Sequence, residues 1–338
     1  MPDPAESYPA GRPRLLILRA LGLGDLLTAV PALRAIRAAA PDHQIVLATQ
    51  PQWEPLIRLA DAVDAIHPAS GLDPLTWTGP PPDVAVNLHG SGPQSHRLLA
   101  ALRPAQLLAF GSVHAEHEGP DWRTDEHEVH RWCRLVREAW PFPADPADLR
   151  LRLPPQVPIA SGSNVVVLHP GAAYPARQWP APRFAAVARW ARSRGFDVRL
   201  TGSAQERDLA ASVAAQAGLG EEAVLAGRTS VVGLATLISH ARLVVSGDTG
   251  IAHLAFAYGT PSVTMYGPIS PALWGPPASA RHIALWAGVA SNQPFADTVD
   301  AALLSLDSKA VVEAAEKLLA YGDPYAQDGA SYTNRVTA

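Results

Sequence analysis

The chain has 338 residues, with 48% hydrophobic residues, 17% charged residues and a formal net charge of −4 at pH 7. This composition is typical of a globular protein, and the length exceeds one ordinary hydrophobic core, so we expect two domains. The net negative charge gives no electrostatic reason to expect nucleic acid as a partner.

Short apolar runs alternate with alanine-rich amphipathic segments in the first half of the chain. Strands are predicted over 15–18, 45–48, 83–87 and 106–110, and helices over 26–39, 52–60, 91–102 and 126–140. Alternation of this kind predicts a parallel sheet flanked by helices. A proline-rich segment over 141–163 then breaks the pattern and indicates an interdomain linker.

The same alternation returns after the linker. Strands are predicted over 165–168, 197–201, 244–246 and 262–266, and helices over 183–194, 204–218, 231–240 and 249–258. A last amphipathic helix over 309–320 precedes a polar tail, 321–338, that we expect to be flexible. The prediction is a first domain over 1–150 and a second over 151–320, with residues 307–320 as a candidate to pack back on the first.

A strand, a glycine turn and a helix start are predicted around Gly247, Asp248 and Thr249. The free N–H groups and the positive dipole end of such a helix favour a phosphate group. A similar junction follows the first strand, around Gly22 and Asp25. One such junction in each half suggests two α/β lobes that share a polyanionic ligand.

Five sequence blocks resemble glycosyltransferase family 9, the ADP-heptose:lipopolysaccharide heptosyltransferase family. They are LRALGLGDLLTAVPAL (18–33), HPGAAYPARQWP (169–180), AGRTSVVGLATL (226–237), GDTGIAHL (247–254) and YGPISPALWGP (266–276), in the order and spacing of the family. The resemblance implies an α/β protein of GT-B fold, with two Rossmann-like parallel-sheet lobes facing a central cleft. It also implies a nucleotide-sugar on the C-terminal lobe and an acceptor on the N-terminal lobe. The arginine- and alanine-rich composition resembles that of actinobacterial chains.

Asp25 is the candidate catalytic residue. It lies at the mouth of the first strand–helix turn, where a carboxylate can take the proton of an acceptor hydroxyl. By resemblance, it occupies the position of the general base in an inverting sugar transfer. The alternative is a helix cap, because aspartate commonly accepts hydrogen bonds from the N–H groups of a first turn.

The leaving diphosphate needs donors, and the candidates are the backbone N–H groups of Thr249 and Gly250 with the Thr249 hydroxyl. Arg177 stands where the family carries a phosphate-binding lysine, so the chain departs from the pattern there. An arginine fork can hold a diphosphate through two bonds, but it is not equivalent to an ammonium group. The alternative for Arg177 is a solvated loop arginine.

Four further residues are assigned to the donor by resemblance: Gly227, Thr229, Asp248 and His253. Gly227 and Thr229 match the loop before the helix on the adenine side, whereas Asp248 and His253 match positions near the sugar-nucleotide. Asp248 has the alternative of a helix cap, and His253 that of a helix-packing residue. An apolar base slot does not separate adenine from other bases, so UDP- or GDP-sugar remains an alternative donor.

Acceptor-side residues are expected at strand ends and in one loop of the N-terminal lobe: Gly24, Asn87, His89, Gly90, Trp122 and Arg123. The acceptor itself stays open among a glycan, a glycolipid and a secondary metabolite. No metal is expected, because four histidines over 114–130 fit no compact zinc pattern and the family works without an obligatory metal ion. The expected requirement is ADP-heptose as co-substrate, with no cofactor.

Three other classes of protein are alternatives to the transferase: a dehydrogenase, a sugar-nucleotide epimerase and a binding protein. A nicotinamide-dependent dehydrogenase would have a third glycine at the position of Leu27 and an acidic residue after the second strand. Residues 48–50 are Ala-Thr-Gln instead, so the sequence argues against this class. A sugar-nucleotide epimerase of GT-B fold and a binding protein without turnover remain alternatives. The absence of an apolar run of about 18 residues predicts no integral membrane segment. The single Cys133 agrees with a reducing cytosol. We therefore expect a cytoplasmic protein, at most peripheral to the inner face of the membrane, and we expect it to be a monomer.

Overall fold

The computed structural model describes residues 11–140, 142–154, 164–291 and 293–320. The chain divides into two compact units, the first made mostly of residues up to 157 and the second mostly of residues from 158 onward. Each unit contains a five-stranded sheet in which the paired strands run parallel.

The sheet of the first unit has the strand order β3-β2-β1-β4-β5. Its strands are β1 Arg14–Leu18, β2 Gln44–Thr49, β3 Ala65–Pro68, β4 Val84–Asn87 and β5 Gln106–Leu108. Its helices are α1 Leu23–Thr28, α2 Val30–Ala39, α3 Glu54–Ala60, α4 Gln94–Ala100 and α5 Glu128–Ala139. Leu18 is the register partner of both Ala48 and Asn87, so the carboxyl ends of three strands meet at one edge.

The central strand β1 is buried on both faces, since residues 15–18 are all 0% exposed. A continuous apolar run is what a parallel sheet covered by helices on both sides requires. Beside it, the rings of Phe110, Trp122 and Trp132 pack at tilted or edge-to-face angles. The core of this unit therefore lies directly beneath the strand ends that carry its polar residues.

The sheet of the second unit has the order β10-β9-β8-β6-β7. Its strands are β6 Val165–His169, β7 Asp197–Leu200, β8 Leu243–Gly247, β9 Ser262–Met265 and β10 His282–Leu285. The helices after the linker are α6 Ala181–Ser193, α7 Arg207–Ala217, α8 Val231–His240, α9 Gly250–Tyr258, α10 Pro271–Trp274, α11 Ala301–Ser305 and α12 Ser308–Ala320. Of these, the first half of α8 and most of α10 are grouped with the first unit, and the others belong to the second. Four short 3₁₀ turns complete the described elements, at Pro51–Trp53, Val113–Ala115, Pro175–Arg177 and Glu221–Ala223.

The predicted helix over 26–39 is two helices in the structure, α1 and α2, which meet at Ala29. Pro31 lies in the first turn of α2, where a proline is tolerated because the N–H it lacks would have no partner. The same residue inside one continuous helix would remove a hydrogen bond and clash with the preceding turn. Its position therefore explains the break.

Two strands were not predicted, β3 and β10. Each is an edge strand of four residues that includes a histidine, His67 or His282. Short edge strands lack the long apolar run by which the central strands are recognised.

The last helix, α12, packs in the second unit, and this corrects the expectation that residues 307–320 pack back on the first domain. Val311, Ala315 and Leu318 are buried in the apolar core of the second unit. Glu316 accepts hydrogen bonds from Trp190 Nε1, on α6, at 3.2 Å and from Nη2 of Arg194, the C-cap of α6, at 2.5 Å. The apolar face of α12 therefore packs on the second unit. The tail over 321–338 lies outside the described residues.

Among the residues that the structure describes, no helix combines the length and the apolar character needed to cross a bilayer.

Candidate functional site

The junction between β8 and α9 has the geometry of an anion-binding turn. β8 ends at Gly247, and Thr249 is the N-cap of α9 with an extended backbone, φ −145° and ψ 171°. The side chain of Thr249 makes no capping hydrogen bond to the first turn of this helix. A helix leaves its first N–H groups without intrahelical partners, and its dipole makes that end positive.

Polar side chains at the same sheet edge are buried without partners. Ser246 Oγ, Thr249 Oγ1, Thr264 Oγ1 and Arg177 Nε are buried and have no hydrogen-bond partner within the described structure. Ser246 and Thr264 are register partners on β8 and β9, so their side chains lie on one face of the sheet. Because a buried polar group without a partner costs about 1–3 kcal/mol, such a concentration indicates a site for a polar ligand or ordered water.

The Arg177 loop lies against this turn. A Cβ at Gly247 would be 3.1 Å from the carbonyl oxygen of Arg177, closer than ordinary van der Waals contact. The two sequence blocks, 169–180 and 247–254, are therefore adjacent, as a shared diphosphate site requires. The buried Nε also argues against the alternative of a fully solvated arginine.

Asp248 and His253 are both buried, at 9% and 7% exposure. Asp248 is not the N-cap of α9, which is Thr249. Burial and the charge of Asp248 together raise the pKa of Tyr266 well above its ordinary value, so the carboxylate faces that phenol. His253 packs edge-to-face on Phe256 with ring centroids 5.4 Å apart, a helix-packing contact that leaves both roles proposed from the sequence open.

Gly227 has a left-handed backbone, with φ +71°, and a Cβ there would come within 2.9 Å of Ala204 Cα. Its N–H donates to the Gly202 carbonyl oxygen at 3.0 Å. Glycine is therefore required for the loop to turn at this point. Thr229, two residues later, is half-buried just before α8.

Two polar residues beside the donor turn were not singled out from the sequence. His169, at the carboxyl end of β6, is the register partner of Ser246, and its Nδ1 lies 3.0 Å from Thr201 Oγ1. The carboxylate of Glu206 accepts from the Ser203 N–H at 2.7 Å and lies so close to Gly171 that no Cβ would fit there. Only the strand register reveals that His169 shares an edge with the GDTG turn.

In the first unit, Asp25 lies in the first turn of α1, whose N-cap is Gly22. Its carboxylate lies near the backbone N–H groups of Gly22 and of Asp25 itself, and both lower its pKa. The side chain nevertheless keeps 32% of its surface exposed. A structural role in the turn and a chemical role at the surface are therefore compatible, and Gly24 precedes it in the same turn.

The pKa of Asp25 is raised above its usual range. Burial is the main cause, and the neighbouring charge of Glu128 acts in the same direction. The guanidinium of Arg19, with Nη2 3.7 Å from Asp25 Oδ1, and the backbone N–H groups of Gly22 and Asp25 act in the opposite direction. A raised pKa suits a carboxylate that accepts a proton near neutral pH.

Asn87 organises the turn that follows β4. Its Oδ1 accepts from the His89 N–H at 3.0 Å, while Nδ2 donates to Ser95 Oγ at 2.9 Å and to the Gly90 carbonyl oxygen at 3.3 Å. Asn87 is 0% exposed, so its polar atoms serve the turn itself. Of the predicted acceptor-side residues in this turn, His89 and Gly90 are only partly buried.

Trp122 and Arg123 lie on another part of the unit. Trp122 packs edge-to-face on Phe110, and the Arg131 guanidinium stacks over its ring at 4.3 Å. The backbone oxygen of Arg123 accepts from Arg131 Nη2 at 2.8 Å, while the Arg123 residue as a whole is exposed. The structure thus gives Trp122 a packing role that the sequence did not predict.

His89 is expected to make the stability of the protein depend on pH. Burial, with a smaller effect of Arg19, lowers its pKa from 6.5 to about 4, and its Nδ1 accepts from the Ala20 N–H at 3.3 Å. Between pH 6.5 and 4 the unfolded chain then binds the proton more readily, so the free energy of unfolding falls as pH is lowered through this window.

Urea unfolding at pH 7 and pH 5 tests this expectation. The unfolding midpoint of wild type should fall more between these two pH values than that of His89→Gln, whose amide does not titrate. An equal fall in both proteins would show that His89 does not contribute.

Within the described part of the chain, no group of three or more His, Cys, Asp or Glu residues is placed to hold a metal ion.

Two Rossmann-like parallel α/β units, each with a strand–turn–helix junction carrying polar residues at the carboxyl edge of its sheet, define a protein of GT-B fold. The family model of glycosyltransferase family 9 (heptosyltransferase) matches residues 110–302. The chain therefore belongs to glycosyltransferase family 9, and the resemblance found in its sequence blocks is confirmed.

Among curated proteins, the chain is similar to lipopolysaccharide heptosyltransferase 1 of Pseudomonas aeruginosa, with 34% identity over 153 residues. That match covers 44% of this chain and 42% of the relative, which is less than half the length of either.

Solved structures show the same fold over most of the chain. The glycosyl transferase family 9 protein of Veillonella parvula has a TM-score of 0.74 at 18% identity, over 92% of this chain and 98% of that one. E. coli heptosyltransferase WaaC with ADP has a TM-score of 0.67 at 20% identity, over 90% and 99%.

Proposed function

We propose that this protein is an inverting glycosyltransferase that moves a heptose from ADP-heptose to an acceptor hydroxyl. The observation that carries the proposal is the set of buried, unpartnered donors around the β8–α9 junction, namely Arg177 Nε with the hydroxyls of Ser246, Thr249 and Thr264. In the proposal, the second domain, over residues 151–320, holds the nucleotide-sugar. The first, over residues 1–150, holds the acceptor and the base.

The donor is held by its diphosphate. Its oxygens accept from the first N–H groups of α9, from the Thr249 hydroxyl and from the Arg177 guanidinium. As the sugar leaves, negative charge develops on the diphosphate, and preorganised donors of this kind stabilise that charge more than they stabilise the ground state. The Arg177 guanidinium and the positive end of α9 thereby stabilise the negative charge that a metal ion would otherwise neutralise. We therefore propose a transfer that needs no metal.

The remaining donor residues shape the sugar and base regions. Asp248 and His253, buried beside the turn, lie where the sugar hydroxyls would bind. Gly227, with Thr229 after it, forms the loop of the adenine side. One fold neighbour, E. coli heptosyltransferase WaaC, was solved with ADP, which supports an adenine nucleotide here.

Asp25 accepts the proton of the acceptor hydroxyl as that oxygen attacks the anomeric carbon. The bond between the sugar and the diphosphate breaks, the new glycosidic bond forms on the opposite face, and ADP leaves with the electron pair. His89 and Gly90, at the end of β4, are proposed to contact the acceptor with Gly24. Trp122 and Arg123 are proposed to act further along the same surface.

The acceptor is proposed to be a glycolipid of the lipopolysaccharide type, because the named relatives are lipopolysaccharide heptosyltransferases. Such an acceptor would be reached by a cytoplasmic protein at the inner face of the membrane. A monomer is sufficient for this chemistry, since each proposed role is filled by residues of one chain.

Nucleotide preference tests the donor assignment. Isothermal titration calorimetry with ADP, UDP and GDP should give the tightest binding for ADP. Equal or tighter binding of UDP would reject the ADP-sugar donor and leave the transferase with another nucleotide-sugar. Conversion of a nucleotide-sugar into its epimer, in the absence of any acceptor, would favour the epimerase alternative.

A further inference from the structure

Arg19 is a fully buried arginine directly after β1, with 0% exposure. Its Nε donates to the backbone oxygen of Asp25 at 2.8 Å, and its Nη2 donates to Thr28 Oγ1 at 3.2 Å. Its Nη1 donates to the backbone oxygen of Leu88, and the guanidinium stacks over the Trp132 ring at 4.7 Å. One side chain thus ties α1, which carries Asp25, to the end of β4 and to α5.

Glu128, on α5, is the counter-charge of Arg19. Its Oε1 accepts from Arg19 Nη2 at 3.0 Å and from Trp132 Nε1 at 2.8 Å, while its Oε2 pairs with Arg131 Nη1. The Glu128 side chain is 6% exposed. Buried charges need such partners, because an unpaired buried charge is strongly destabilising.

Arg19 Nη2 lies 3.7 Å from Asp25 Oδ1, beyond a hydrogen bond but within the range of a strong charge interaction. We infer that Arg19 is the positioning residue of Asp25, and that Glu128 controls how much of the Arg19 charge acts on that carboxylate. Arg19 holds the backbone of Asp25 in place and stabilises its ionised form, whereas Glu128 opposes the second effect. The inference rests on the proposed role of Asp25 as the base.

The charges around Asp25 come from three elements. Arg19, after β1, lowers the pKa of Asp25, and Glu128, on α5, raises it, while burial has the largest effect. His89, after β4, feels the same guanidinium, which contributes to its own lowered pKa. Arg131, also on α5, is paired with Glu128. Removing the charge of Arg19 and removing that of Glu128 should therefore shift the ionisation of Asp25 in opposite directions.

Opposite shifts distinguish this inference from a merely structural role, because loosening of the turn would act in one direction in both variants. The titration of Asp25 is followed by carboxyl ¹³C NMR of protein labelled at aspartate, with its signal assigned by loss in Asp25→Asn. In Arg19→Met the midpoint should rise by about 1–3 pH units, the range by which an adjacent arginine lowers an aspartate pKa. In Glu128→Gln it should fall below that of wild type.

Arg134→Met is the matched control. Arg134 is a buried arginine on α5, the helix that carries Glu128, and it is ion-paired with Glu126 at 2.8 Å and stacked over Phe110. Its replacement therefore also removes a buried, paired guanidinium from the first unit. The midpoint of Asp25 should match wild type in this variant. Arg19→Lys keeps the charge and should hold the midpoint within about half a pH unit of wild type. Where Arg19→Met does not fold, Glu128→Gln preserves the test, because a midpoint that fails to fall in this variant overturns the inference.

No change in Arg19→Met, or shifts in the same direction in Arg19→Met and Glu128→Gln, would overturn the inference. The titration needs neither donor nor acceptor, so it can succeed or fail separately from the proposed function. Where sugar transfer is measured, the acid limb of kcat/KM, which reports the base of the free enzyme, should move with the NMR midpoint. Matching NMR shifts without sugar transfer by wild type would contradict the proposed function alone.

Discussion

Replacement of Asp25 by asparagine is expected to lower kcat by about 10²- to 10⁴-fold, the loss typical when a positioned general base is removed. The amide is nearly isosteric with the carboxylate but does not accept a proton at neutral pH. ADP binding should stay close to that of wild type, because the proposed donor residues all belong to the other domain. Steady-state turnover and calorimetry with ADP measure the two effects separately.

The control for this substitution is Asp208→Asn. Asp208 is likewise an acid in the first turn of a helix, α7, so its replacement reproduces any loss of helix-end stabilisation. Such losses are only about 0.5–2 kcal/mol, and asparagine caps nearly as well as aspartate. Near wild-type turnover in a folded Asp25→Asn protein would return Asp25 to a structural role and make His89 the next candidate base.

Replacement of Arg177 by methionine should weaken ADP binding by roughly 10- to 150-fold, which corresponds to a charge-assisted interaction of about 1.5–3 kcal/mol. Methionine keeps an apolar chain of similar length but removes every donor of the guanidinium. Arg177→Lys keeps a positive charge on a single ammonium group and should recover part of the affinity. The recovery should be incomplete, because a lysine cannot donate through the arginine fork. Calorimetry with ADP gives both values.

Arg194→Met is the control for Arg177→Met. Arg194 is an exposed arginine of the same unit, 57% exposed and paired with Glu316, and a surface pair of this kind contributes about 1 kcal/mol or less. Its loss should leave ADP affinity unchanged. An Arg177→Met protein that binds ADP as tightly as wild type would place the diphosphate away from the Arg177 loop.

The sequence predicted the parallel sheets and the glycine turns because these depend on local patterns. Buried strands such as β1 are continuous apolar runs, and the turn at Gly247 is marked by its own residues. The break between α1 and α2 was missed because Pro31 fits the first turn of a helix as readily as it interrupts one.

Residues that depend on strand register could not be found in the same way. Ser246 and Thr264 become neighbours only because β8 and β9 pair in one register, and no spacing in the sequence reports that pairing. Arg19 and Glu128 are separated by 109 residues and meet through the packing of α5 on the sheet edge. An arginine at the end of an apolar strand was the available signal for that pair, since a buried charge requires a partner.

Trp122 has a role that its sequence context did not indicate. It was assigned to the acceptor side as a loop residue of the first unit, and its ring also packs on Phe110 and under Arg131. Sequence alone does not distinguish an aromatic side chain that closes a core from one that awaits a ligand. Its proposed part in acceptor binding therefore depends on the exposed portion of the residue and on Arg123 beside it.

The central claim is that this protein transfers a heptose from ADP-heptose to an acceptor hydroxyl. The most direct measurement incubates the protein with ADP-heptose and a lipopolysaccharide inner-core acceptor, and quantifies ADP and glycoside together. We predict equal amounts of ADP and of a product whose anomeric configuration is opposite to that of the donor, with almost no ADP when the acceptor is omitted. Equal consumption of ADP-heptose with and without acceptor, or its conversion into an epimer, would contradict the claim.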